Sequence, residues 1–68
     1  MTDIKALKSR INQSGISMTA LSRKTGILRE TLYNRLAGKG EFKASEISAL
    51  GTALNLSVSE KDDIFFAN

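Results

Sequence analysis

The sequence predicts an all-α fold, a compact bundle of five short helices within one domain spanning residues 1–68. Three observations carry that prediction. Apolar residues recur at i, i+3, i+4 and i+7 in successive short segments. Residues able to cap helices, together with glycines, stand between those segments. No stretch shows the period-two alternation of a half-buried strand.

The first segment covers residues 3–13. Ile4, Leu7 and Ile11 share one helical face, Thr2 or Asp3 can cap its start, and Gly15 follows its end. Ser17 can cap the second segment, residues 18–24, where Leu21 faces inward. Gly26 then marks a turn, and Ile27 packs inward behind it. The third segment covers residues 29–37, with Leu32 and Leu36 as an i, i+4 apolar pair closed by Gly38-Lys39-Gly40. Ile47, Leu50 and Leu54 stripe the fourth, residues 44–54. Its interior Gly51 costs about 1 kcal/mol against alanine, which suggests a close approach by another helix. Asn55 can take the left-handed position after it. The fifth segment is expected to start at Ser59, with Ser59-Glu60-Lys61-Asp62 as its capping signal, and to end in Ile64-Phe65-Phe66.

Composition removes several function classes. The chain has no Cys and no His, which excludes a disulfide, a thiolate nucleophile, a zinc finger and a histidine general base. Its seven carboxylates have neither to work with, and Gly38-Lys39-Gly40 ends a helix where a phosphate-cradling loop would open one. Neither catalysis nor a cofactor or metal is therefore expected. The first ten residues lack the apolar stretch of a signal peptide and no apolar run is long enough to span a membrane, so a cytoplasmic protein is expected.

Charge is divided unevenly along the chain. Residues 1–43 hold nine bases and three acids, whereas residues 44–68 hold Lys61 against four acids. A basic half suggests a polyanionic partner, most commonly nucleic acid. Phe65 and Phe66 are expected as core or dimer contacts, at least one of them closing the bundle, and the acidic end that carries them is the candidate self-association surface.

The second and third segments supply the motif. A short helix, a turn through Gly26 and Ile27, and a second short helix form a helix-turn-helix. Gly26 suits a sharp backbone reversal, and small Ser22 permits close crossing of the two helices. The outer face of the third segment is then free to enter a major groove. Arg29, Glu30, Tyr33 and Asn34 are the candidate base contacts: arginine forks onto guanine and asparagine pairs with adenine. Thr19, Arg23, Lys24, Lys39 and Lys43 are the candidate phosphate contacts on the rim. Arg35 is expected on the opposite side.

Over nearly its whole length the chain resembles helix-turn-helix regulators of the lambda-repressor/Cro type. The resemblance rests on Leu21-Ser22-Arg23-Lys24-Thr25-Gly26-Ile27 and on Thr31 through Lys39. It extends through Glu41-Phe42-Lys43-Ala44-Ser45-Glu46-Ile47 to Ile64-Phe65-Phe66. It implies a lambda-repressor-like fold and a small regulator of a temperate phage or prophage, acting on the choice between lysogeny and lytic growth in a bacterial cell. Its implied partner is double-stranded operator DNA, bound as a homodimer because one unit reads one half-site.

More narrowly, the chain looks like a phage modulator of repression, an antirepressor acting on the cognate phage repressor protein. Two departures bear on that alternative. The family often places glutamine at the first position of its second helix, where this chain has Met18. Serine or threonine usually precedes the third helix, where this chain has Leu28. An exposed apolar pair is poor phosphate chemistry and better suited to a protein surface, so Met18, Leu28, Arg29 and Tyr33 are the candidate repressor-binding surface; the alternatives are that Met18 folds back into the core and that Leu28 packs against Leu32.

Overall fold

A computed structural model describes residues 1–67. It contains α1 (Ile4–Ser14), α2 (Met18–Thr25), α3 (Arg29–Leu36), α4 (Ala44–Ala53) and α5 (Val58–Phe65), with no strand among the described residues. The expected all-α bundle with a helix-turn-helix is the observed one.

Each boundary has a local cause. Asp3 caps α1 by accepting the Ala6 amide at 3.0 Å, and Ser17 caps α2 by accepting the Ala20 amide at 3.1 Å. Helix α3 ends in paired bonds, from the Lys39 amide to the Asn34 carbonyl at 2.8 Å and from the Gly38 amide to the Arg35 carbonyl at 3.1 Å. Helix α4 repeats the arrangement: Leu56 donates to the Gly51 carbonyl at 2.8 Å, and Asn55 sits left-handed at φ 55 as expected.

Helix α5 corrects the sequence expectation. Its cap is Ser57, not Ser59. The Ser57 hydroxyl accepts the Glu60 amide at 3.0 Å, and the Glu60 carboxylate accepts the Ser57 amide at 2.9 Å. Ser57-Val58-Ser59-Glu60 is the complete capping box, whereas the expected Ser59 box would have relied on a shorter aspartate at its fourth position. At the start of α4 only half of such a box forms. Glu46 accepts the Lys43 amide at 2.8 Å, but a lysine side chain has no acceptor to return.

The core draws on every helix. Leu7, Leu21, Leu32 and Leu50, one from each of α1 to α4, are fully buried. Each such burial contributes roughly 1.5–3 kcal/mol. Phe65 of α5 meets Phe42 of the α3–α4 loop edge-on, with ring centroids 5.5 Å apart. Phe65 thus closes the bundle, as expected of at least one of the terminal pair, and Phe66 is exposed.

Close approach explains Gly51. A Cβ there would stand 2.6 Å from Cδ of Lys61, so the aliphatic stem of a residue on α5 occupies the space. Helix α4 packs on α2 and on α5, while α3 packs on α2. That leaves the other side of α3 uncovered.

Candidate nucleic-acid interface

The turn between α2 and α3 sets the direction of α3, and its polar groups are accounted for. Gly26 is left-handed at φ 73, in open space, so its role is conformational freedom alone. Its amide donates to the Ser22 carbonyl at 2.9 Å. The Ile27 amide donates to Thr25 Oγ1 at 3.2 Å, and the Ile27 carbonyl accepts the Ser22 hydroxyl at 2.5 Å. Ser22 therefore does more than permit a close crossing; it fastens the turn to α2. The Ile27 side chain is buried beneath.

This anchoring turns Leu32 and Leu36 into the core and leaves Arg29, Glu30, Tyr33, Asn34 and Ala37 exposed along α3. All four residues expected to meet bases lie in that stripe. The five residues expected to meet phosphates, Thr19, Arg23, Lys24, Lys39 and Lys43, are exposed as well. Thr19, Arg23 and Arg29 line one open hollow together with Ser22. Leu28 and Lys43 line a second, on the far side of the turn, with Thr31 and Glu46. Lys39 follows α3, its backbone fixed by the bond to Asn34.

One contact within the site has no counterpart in the sequence reading. Arg29 Nη1 donates to Thr19 Oγ1 at 2.9 Å, joining a residue expected at a base to one expected at a phosphate. The only sequence signal for it is that a helix-turn-helix brings the starts of its two helices together.

Two surface expectations divide. Leu28 is 74% exposed at the N-cap of α3 and supplies no side-chain acceptor there. Met18 does not form an exposed pair with it. Met18 is half-buried, packs against the core cluster, and lines a shallow hollow with Ile16 and Leu36, because the first turn of α2 leans its apolar side onto α1 and α3. A neighbouring hollow shares Lys8 and Leu36 with that one and is bounded by Tyr33, which is 55% exposed. Arg35 is more than a bystander. Its Nε meets Glu46 Oε1 at 3.3 Å, with the two side chains 17% and 13% exposed, and it ties α3 to α4.

No helix among the described residues is long and apolar enough to cross a membrane. The family model for the Cro/C1-type HTH DNA-binding domain matches residues 6–60. No significant match was found among curated proteins or among solved structures. The matched span begins within α1, contains α2 to α4 with the anchored turn and the whole exposed stripe of α3, and ends in the first turn of α5. By that match, and by the helix-turn-helix built around Gly26 and Ile27, the chain belongs to the Cro/C1-type HTH DNA-binding domain family.

Proposed function

We propose that the protein is a small transcriptional regulator of a phage or prophage lysogeny switch, acting in the bacterial cytoplasm by laying α3 in the major groove of operator DNA. The observation that carries this reading is the exposed stripe Arg29-Glu30-Tyr33-Asn34 on an anchored recognition helix, flanked by exposed cations and free of covering elements. Asn34 can pair with adenine through two hydrogen bonds, Glu30 can accept from cytosine, and Tyr33 can meet a thymine methyl or a phosphate. Each copy carries one such helix and reads one half-site, so a two-fold operator takes two copies.

A mobility-shift titration on the intergenic DNA beside the gene tests this. A specific shift by the protein alone, weakened as salt rises, is the expected result. Asn34→Ala is expected to cost about 1–3 kcal/mol and to relax preference at one base pair. Binding by that variant equal to wild type would remove Asn34 from the base contacts.

A second reading is favoured by a specific feature. Leu28, just before α3, and Tyr33, on its exposed stripe, are large apolar side chains left 74% and 55% exposed. That surface suits an antirepressor that binds the cognate phage repressor and alters its hold on DNA. Leu28→Asp is expected to abolish such pairing. Aspartate is a good N-cap and complements the helix dipole, so the substitution leaves the fold intact and the loss is attributable to the surface. Pairing retained by the variant would overturn this surface.

A further inference from the structure

We propose that Arg29, Arg23 and Thr19 form one seat for a phosphodiester of the DNA backbone, so that the first residue of α3 grips a strand instead of reading a base. This inference rests on the DNA-binding reading above and reassigns one of its residues. The hydrogen bond from Arg29 Nη1 to Thr19 Oγ1 holds the guanidinium toward α2. The hollow there is lined by Thr19, Ser22, Arg23 and Arg29, that is, by two cations and two hydroxyls with no carboxylate. Among the described residues neither arginine has an ion-pair partner; the pairs present are Arg10–Glu60 and Arg35–Glu46. Two like charges facing one hollow repel each other, and an anion placed between them relieves the repulsion.

Donor geometry agrees with a phosphate. A guanidinium has five N–H donors, of which the bond to Thr19 uses one, leaving a fork suited to two phosphate oxygens. Ser22 is committed to the Ile27 carbonyl, but the Thr19 hydroxyl accepts from Arg29 and keeps its own proton to donate. The hollow, at about 320 Å³ and open to solvent, lies near the lower limit of roughly 300 Å³ for enclosed small-molecule pockets and suits a group presented by a surface. The bond to Thr19 also fixes an otherwise mobile arginine before DNA arrives, which lowers the entropy lost on binding.

Fluorescence anisotropy with two labelled duplexes tests the seat. One duplex is selected by the wild-type protein from a randomised pool, and the other is a scrambled sequence of equal length. Arg29→Ala is expected to weaken both by the same factor, on the order of tenfold, and to reduce the salt slope by about 1. Thr19→Val keeps both charges and removes only the hydrogen bond. It is expected to weaken both duplexes roughly threefold with the slope unchanged. Asn34→Ala, as the contrast, weakens only the selected duplex. Circular dichroism confirms that each variant is folded. The seat is overturned if Arg29→Ala weakens the selected duplex at least tenfold more than the scrambled one, or if Thr19→Val binds both as well as wild type. A wild-type protein that binds both duplexes equally sinks the base-reading function but leaves the seat decided by the slope and by Thr19→Val. A wild-type protein that binds neither at low salt sinks both.

Discussion

Leu28 occupies a position where a helix ordinarily finds an acceptor. The first amides of α3 receive no side-chain bond from it, and its own side chain is 74% exposed, so its replacement sacrifices little buried surface. Leu28→Thr is therefore expected to raise stability by about 1 kcal/mol. In a domain of this size that is a rise of roughly 4–8 °C in Tm, measured by thermal unfolding. An unchanged or lower Tm would mean that those amides are already satisfied. At this scale the sequence was informative for Leu28, Gly26 and Asn55, whose roles depend on near neighbours. It did not reveal the packing of Met18, the bond between Thr19 and Arg29, or the ion pair of Arg35. Met18 is half-buried because α1 and α3 pack beside it, and Arg35 meets Glu46 only because α4 returns against α3. Neither fact is local.

Helix limits were legible wherever one side chain or one glycine decides them. Asp3, Ser17, Gly15 and Gly26 stand at the ends that their chemistry predicts. The start of α5 was missed although the signal was present, since Ser57 and Glu60 have the full three-residue spacing. Glu60 makes that helix pH-sensitive. Its carboxyl is held below the ordinary glutamate pKa by the Ser57 amide first, aided by the Ser57 hydroxyl and by Arg10, against some desolvation. A pKa lowered by folding stabilises the folded state above the unfolded value, and that contribution is lost as pH falls through the folded value. Glu60→Gln should therefore lose less stability than wild type between neutral and acidic pH, as followed by urea midpoints; an equal loss would place the acid sensitivity elsewhere. Between α3 and α4, Arg35→Ala leaves the half-buried Glu46 without its cation. It is expected to cost about 1–3 kcal/mol by urea unfolding while leaving the salt slope of DNA binding unchanged. A changed slope would place Arg35 on the DNA.

For the molecule as a whole, one small core spans all five helices, and a core of this size rarely supplies more than about 3–5 kcal/mol. Anything that binds the folded state alone, DNA included, then adds a contribution that is large beside the intrinsic stability. The division of charge acquires a physical meaning in the fold. Most bases precede α4 and include the cations exposed on and around α2 and α3, whereas α5 carries Glu60, Asp62 and Asp63. An approaching polyanion is thus steered toward α2 and α3 and away from α5. The central claim is that this exposed, basic helix-turn-helix binds DNA through its own surface. The most direct test is the affinity of the purified protein for the neighbouring intergenic duplex across a salt series, without any other protein present. Specific binding is expected, with a log affinity that falls linearly with log salt by about 0.9 per phosphate neutralised. No binding at low salt by the protein alone, together with altered DNA binding by a neighbouring repressor when the protein is added, would rule this out and move the function to protein contact through exposed apolar residues such as Leu28 and Tyr33.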